Sequence, residues 1–190
     1  MNRTDVQDGA ANVDPMELRR TCAAFGTGVT VITARHGGSD YGMTANAFMS
    51  VSLDPPLIVV SVNRRARILG KIEAAGTYAV SVLAEQMEPV AMHFAGKPRQ
   101  DLGNLFEDFG GLPVVRGAIG YFAARLHQTV LAGDHVMFIG AVEKIARREG
   151  RPLIFHDGAF GGLPWTKAQG AGAPWPPGNV HPREDAPELW

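Results

Sequence analysis

The chain has 190 residues, 45% of them hydrophobic and 19% charged, with a formal net charge of −1. That balance belongs to a globular protein with room for a sizeable core, and it excludes the broad basic field that nucleic-acid or anionic-membrane binding uses. One cysteine excludes an internal disulfide, and no apolar run reaches the roughly 18 residues of a membrane span, so the sequence predicts a cytoplasmic protein.

Residues 1–13 are polar and read as a flexible leader. Asp14-Pro15-Met16-Glu17 opens a helix: Asp as N-cap, Pro in the first turn, Glu placed to reach back to the cap. Leu18, Cys22 and Phe25 share one face of it, which predicts a packed face with Cys22 as a small apolar residue rather than a reactive thiol. Val29 to Ala34 reads as a strand, and His36 to Asp40 ("HGGSD") as a hairpin turn. Leu57 to Val62 is apolar at nearly every position and predicts a strand packed on both sides. Arg67 to Ala75 predicts a short helix with Ile68, Leu69 and Ile72 inward and Gly76 as its stop. Tyr78 to Leu83 is a further strand. Gln86 to Ala95 reads as helical despite Pro89, with Gly96 as terminator. Two long strands follow, Ala118 to Val130 and His135 to Ile145, joined by the tight "LAGD" turn. "RPLIFHDGAFGGL" predicts a last strand with a glycine-rich exit.

Hairpin-linked strands with irregularly placed helices predict a mainly β fold, a closed antiparallel barrel with peripheral helices, over residues 14–163. Residues 164–190 are rich in Pro and Gly yet hold all three tryptophans, Trp165, Trp175 and Trp190. Aromatics in a linker-like composition predict a tail that docks on the barrel or on a partner subunit.

No hydrolase elbow, zinc-protease motif, P-loop or dinucleotide fingerprint occurs, and the six histidines lack ligand spacing, so no metal is expected. That silence points to chemistry carried by a bound cofactor. The stretch "GMTANAFMSVSLDPPLIVVSVNRRARIL" (42–69) suits a flavin. Thr44 and Asn46 offer polar groups on one segment, Ser50 and Ser52 alternate on the next, and Arg64, Arg65 and Arg67 gather at a predicted helix start, where a phosphate is favoured. The plain alternative is a solvated strand and a surface arginine patch.

The same stretch, Thr44-Ala45-Asn46-Ala47-Phe48-Met49-Ser50-Val51-Ser52-Leu53-Asp54-Pro55-Pro56, closely resembles the signature of the flavin reductase-like family. "FGTGVTVITA", "YAVSVLAEQ", "HFAGK", "GDHVMFIGAVE" and "PLIFHDGAFGGL" extend the resemblance over residues 16–163. It implies an FMN-binding split β-barrel, antiparallel and Greek-key-like, usually a homodimer. The implied activity is reduction of FAD or FMN by NADH, less expectedly NADPH, on behalf of a flavin-dependent monooxygenase. By residue, it implies that Thr44, Ala45, Asn46, Ala47, Ser50, Val51 and Ser52 line the flavin ring and ribityl chain. Asn63, Arg64 and Arg67 would approach the phosphate, Phe94 and Lys97 would border the flavin, and His135 would lie beside the nicotinamide. Phe160, between small residues, is a second nicotinamide candidate, with tail packing as its alternative. His93 is as consistent with helix packing as with flavin contact.

Two departures from the family pattern stand out. Hydroxyls common in relatives are replaced at Arg65, Ala66 and Ile68, which shifts phosphate holding toward the arginines, and Ala47 stands where serine is frequent. Hydride transfer requires no acid–base side chain, so none is assigned. A flavin carrier without turnover, or a barrel whose tightly held flavin reduces another small molecule, are the alternatives.

Overall fold

In the computed structural model, which describes residues 13–162, Asp14 caps the first helix, α1 (Pro15–Ala23). Its Oδ1 accepts from the backbone N–H of Met16 at 2.7 Å and of Glu17 at 3.0 Å. Glu17 does not reach back to the cap; it pairs with Arg20 at 2.7 Å. The apolar face of α1 is not packed as its spacing predicts. Leu18 is 55% exposed, Phe25 is 76% exposed, and Cys22 is exposed. Periodicity marks a face for burial but does not say whether the covering surface lies within the same chain.

Twelve strands follow in antiparallel pairs among the described residues: β1 (Thr27–Gly28), β2 (Thr30–His36), β3 (Ser39–Ala45), β4 (Phe48–Leu53), β5 (Pro56–Asn63), β6 (Thr77–Val82), β7 (Phe106–Phe109), β8 (Leu112–Val115), β9 (Gly120–Ala132), β10 (His135–Arg147), β11 (Leu153–His156) and β12 (Ala159–Gly162). The main sheet has the order β3-β2-β6-β9-β10-β5-β4. Its two edge strands, β3 and β4, are consecutive in the chain and joined only by Asn46 and Ala47. So short a link between opposite edges requires the sheet to curl into a barrel.

The barrel interior holds Ile32, Val60, Val62, Val80, Tyr78 and Phe138, each at 0% exposure. Tyr78 Oη donates to the Phe138 carbonyl at 3.1 Å, and burial pushes its phenol pKa well up. Helix α2 (Leu69–Ala75) closes one end with Ile68 and Ile72, and Gly76 stops it in the left-handed conformation at φ 65°. A second core lies outside the barrel wall, where Val29, Val31, Leu83, Val115, Tyr121 and Leu153 pack together. The β7–β8 hairpin and α3 (Glu88–Phe94) contribute to it. The buried Thr33 hydroxyl reaches the carbonyl of Pro113, and Ser81 Oγ accepts from Val115 N–H at 2.9 Å, tying that hairpin to the wall.

These two cores correct one expectation. The strands packed on both sides are β2 and β6, which are buried through most of their length. Strand β5 alternates: Ile58, Val60 and Val62 are buried, whereas Leu57, Val59, Ser61 and Asn63 are only half-buried. The β7–β8 hairpin was not apparent in the sequence, because its Gly110-Gly111 turn follows an acidic strand, "FEDF", with no apolar alternation. The segment 151–162 is a two-strand hairpin around Asp157-Gly158 rather than a single strand. Pro89 lies in the first turn of α3, where it costs no hydrogen bond, so that helix forms as predicted. The leader up to residue 12 and the tail with Trp165, Trp175 and Trp190 lie outside the described residues. No described helix is long and apolar enough to cross a membrane.

Candidate functional site

The crossover from β3 to β4 is the site's centre. Its carbonyls are already used: Ala45 accepts from Thr30 Oγ1 at 2.7 Å, Asn46 from Phe48 N–H at 2.9 Å, and Ala47 from Ser61 N–H at 3.0 Å. The Thr44 hydroxyl donates to the Ala91 carbonyl at 2.6 Å, which pins β3 to α3 and takes that donor out of the ligand inventory. What the crossover leaves free is the exposed side-chain amide of Asn46 and the small surface of Ala47.

A cleft opens on each side of this crossover. The first, of about 370 Å³, lies between the end of α1 (Cys22, Phe25) and the outer face of β4, β5 and β10 (Met49, Val59, Ser61, Met137), with Asn46 and Ala47 in its wall. Thr27 Oγ1 also lines it, and it is a buried hydroxyl with no hydrogen-bond partner among the described residues. An unpaired buried hydroxyl is costly, so this one is available to hydrogen-bond whatever fills the cleft, water included.

The second cleft, of about 860 Å³, lies between β3, the 65–68 turn and the end of α3. Gly42 lets Phe94 approach β3: a Cβ there would stand 2.6 Å from the Phe94 ring. The arginine turn is held by its own backbone. Asn63 Oδ1 accepts from Arg65 N–H at 2.9 Å, and Arg64 N–H donates to the Asp134 carbonyl at 3.0 Å. Asn63 therefore shapes the turn, leaving anion contact to the side chains. Arg65 and Arg67 line the cleft; Arg64 does not. All three are exposed and form no ion pair among the described residues, whereas Arg20, Arg35, Arg99 and Arg125 each hold a carboxylate. Helix α2 begins only at Leu69, so the arginines sit in turns ahead of it and not at its N-terminus, as the sequence had implied.

The remaining predicted residues divide. His135 begins β10 directly opposite Asn63 in the β5–β10 register, so both stand on the strand face that carries Ser61 and Met137. Its Nδ1 lies 2.8 Å from Asp134 Oδ1, and this contact holds the Asp134 carboxyl below its ordinary range. Ser50 and Ser52 are half-buried on β4 and flank a bulge at Val51, while Met49, Val51 and Leu53 point outward. Lys97 lies apart from both clefts, in a third shallow one beside Glu88 and Arg99. Phe160 packs on Phe155 with ring centroids 5.2 Å apart, in the second core.

The second cleft is also lined by Tyr41, which the sequence did not single out, by Arg65 from the predicted arginine group, and by His93, for which helix packing and flavin contact stood level. His93 Nδ1 accepts from Arg99 N–H at 3.0 Å, which places the proton of the neutral ring on Nε2. Its signal was present in "HFAGK", but only the fold shows that α3 ends against β3. Among the described residues, no group of three His, Cys, Asp or Glu side chains could hold a metal ion.

A mainly β barrel, split at a two-residue crossover and flanked by one apolar and one cationic cleft, defines a class of small cofactor-binding barrels. The chain belongs to the flavin reductase like domain family, whose model matches residues 22–164. It is 40% identical over 166 residues to an NADH-dependent flavin reductase of a Rhodococcus species, covering 86% of this chain and 93% of that one. It is also 40% identical to the reductase component of 4-hydroxyphenylacetate 3-monooxygenase from Thermus thermophilus, over 78% of this chain and 96% of that protein. Among solved structures, flavin reductase PheA2 in its native state superposes with a TM-score of 0.77 at 42% identity, covering 80% of this chain and 99% of PheA2.

Proposed function

We propose that this chain is an NADH-dependent flavin reductase that supplies reduced FAD or FMN to a partner monooxygenase. The observation that carries the reading is the crossover with a cleft on either side, the first walled by Asn46 and Ala47 and the second by Thr44, Arg65 and Arg67. An apolar, hydroxyl-dotted end followed by a cationic end matches a ring system with a phosphate tail. The residues therefore fit a flavin. Bound flavin supplies the acceptor for the hydride that NADH gives up.

The chain's own part is orientation. Ala45, Asn46 and Ala47 border the ring, and Arg65 and Arg67 hold the phosphate by charge-assisted forks. His135, fixed by Asp134 and adjacent to Asn63, positions the nicotinamide. No side chain needs to move a proton during hydride transfer, so proximity and alignment carry the rate. Ser50 and Ser52, half-buried beside the β4 bulge, line neither cleft, so their flavin contact rests on the family resemblance alone. Lys97 lines the third cleft and Phe160 packs on Phe155, so the flavin and nicotinamide contacts expected of them rest on the family resemblance alone.

The protein works as a homodimer in this reading. The outer face of β4, β5 and β10, with α1 beside it, exposes Leu18, Phe25, Met49 and Val51, an apolar surface that a second copy would cover. The cytoplasm, where its single cysteine stays reduced, is the proposed location.

Mixing protein, NADH and catalytic flavin while following nicotinamide absorbance tests the activity. Flavin-dependent NADH loss is the expected result. Flavin binding with no NADH loss would identify a carrier instead.

A further inference from the structure

We infer that the second cleft receives the adenylate half of a dinucleotide flavin, so that this chain prefers FAD to FMN; the inference rests on the flavin reading above. Size gives the first argument. The open cleft on the arginine side has a volume of about 860 Å³, more than twice the 370 Å³ on the α1 side. Sites that hold a whole small ligand run to roughly 300–1,000 Å³. With ring and ribityl chain laid over the crossover, FMN would place one phosphate in this space and leave most of it open. A pyrophosphate, ribose and adenine fill it.

Charge gives the second. Arg65 and Arg67 both line the cleft, are separated only by Ala66, and form no salt bridge among the described residues, although Arg65 feels the exposed Asp134 carboxylate at longer range. Two guanidinium forks so placed can each take one phosphate of a pyrophosphate. Asp40, the carboxylate in the same wall, does not oppose an anion, because Arg35 holds both of its oxygens at 2.6 and 3.1 Å.

The far wall is aromatic. Tyr41 is half-buried on β3, with Lys71 Nζ 5.1 Å from its ring centroid. Phe94 is held edge-on against His93, with centroids 4.9 Å apart, and His93 keeps its proton on Nε2 because Nδ1 is occupied by Arg99 N–H. Flat rings with one fixed N–H donor suit a purine, which stacks and offers acceptor nitrogens. None of these features serves the ring end of the flavin, so their gathering at the phosphate end is what the inference explains.

The test is a set of fluorescence titrations with FAD, FMN, riboflavin and ADP on the folded full chain. FAD should bind roughly tenfold or more tightly than FMN, and ADP should compete with FAD. His93→Ala and Tyr41→Leu should each weaken FAD roughly three- to tenfold while leaving FMN and riboflavin unchanged. The double variant Arg65→Ala/Arg67→Ala should weaken FAD more than FMN and leave riboflavin unchanged. Circular dichroism of each variant checks that it is folded. Equal FAD and FMN affinities with no ADP competition overturn the inference and leave the flavin reading standing. So does an His93→Ala variant that raises the KM for NADH while FAD affinity stays the same, since the cleft then serves the adenylate of NADH. Failure to bind even riboflavin overturns the flavin reading and the inference together.

Discussion

The two faces of strand β5 obey different rules. Inward, Ile58, Val60 and Val62 are at most 3% exposed and meet Phe138, Tyr78 and Ile32 across the barrel. Outward, Leu57, Val59, Ser61 and Asn63 stay half-buried, and their neighbours grow polar toward the end where Arg64, Asp134 and His135 meet. The inner face is completed by this chain alone. The outer face is left partly exposed, and its grading from apolar to polar suits the second copy proposed for its middle and the ligands proposed for its rim. The same eight-residue strand thus separates stability from function by side-chain parity.

Damage to the inner face should act on stability first. Gly140 on β10 lies opposite Ile58, and a Cβ there would stand 2.5 Å from Tyr78 Oη and 2.8 Å from Ala124 Cβ. Gly140→Ala must displace the Tyr78 ring and break its bond to the Phe138 carbonyl. Overpacking together with a lost buried hydrogen bond costs about 2–4 kcal/mol. Thermal melting should therefore fall by roughly 5–15 °C. A melting temperature within a degree of the parent would mean that the interior is looser than its burial indicates.

On the outer face an equally disruptive substitution should spare the monomer. Met49 is 59% exposed, so Met49→Asp removes little packing within the chain. In a dimer that covers this face it would bury a carboxylate without a partner, and the dimer should weaken by roughly thirtyfold or more. Sedimentation velocity across a concentration series reads the change directly. A parent protein that is monomeric at all concentrations, or a variant that associates as tightly as the parent, would move the second copy off this face.

The asymmetry also explains what the sequence made legible. The interior was readable because burial leaves a pattern: Val60 and Val62 alternate with less buried residues, and Gly76 closes α2 where it should. The signature Thr44 to Pro56 was readable as a motif, and the crossover lies near its start. The geometry of ligand contact was not readable. Arg64 and Arg65 are identical side chains one position apart, and only the turn set by Asn63 Oδ1 sends Arg65 into the cleft while Arg64 is drawn by its N–H toward Asp134. Thr44 looked like a free hydroxyl, yet it spends its donor on Ala91, a partner 47 residues away. Cys22 and Phe25 had the spacing of core residues, and the chain itself supplies nothing to cover them among the described residues.

At the polar rim the effects should be smaller and confined to NADH. His135→Ala removes one neutral hydrogen bond, worth about 0.5–1.5 kcal/mol, and leaves the β5–β10 pairing intact because that is made by backbone. The KM for NADH should rise, or reduction of prebound flavin should slow, by roughly two- to tenfold. Flavin affinity should hold within error in a parallel titration. A loss confined to flavin affinity would place His135 against the flavin instead.

The smallest effect belongs to the residue behind it. Asp134 touches no proposed ligand, but its Oδ1 lies 2.8 Å from His135 Nδ1 and so leaves Nε2 facing outward. The hydrogen bond to His135 lowers the Asp134 pKa below 3.8, so its contribution is present at every pH above the unfolded value and is lost only as the pH falls through the lower, folded one. Across the neutral range the carboxylate therefore stays charged, and the ring stays oriented. Asp134→Asn keeps the shape and removes the charge, and its amide can offer Nδ1 either an acceptor or a donor, which releases the choice of tautomer. The KM for NADH should rise by roughly twofold, with melting temperature and flavin affinity unchanged, and Asp134→Glu should restore part of the loss. The decisive comparison is the double variant. If Asp134 acts only through the imidazole, His135→Ala/Asp134→Asn should be no worse than His135→Ala alone, whereas additive losses would show that Asp134 supports the rim by another route.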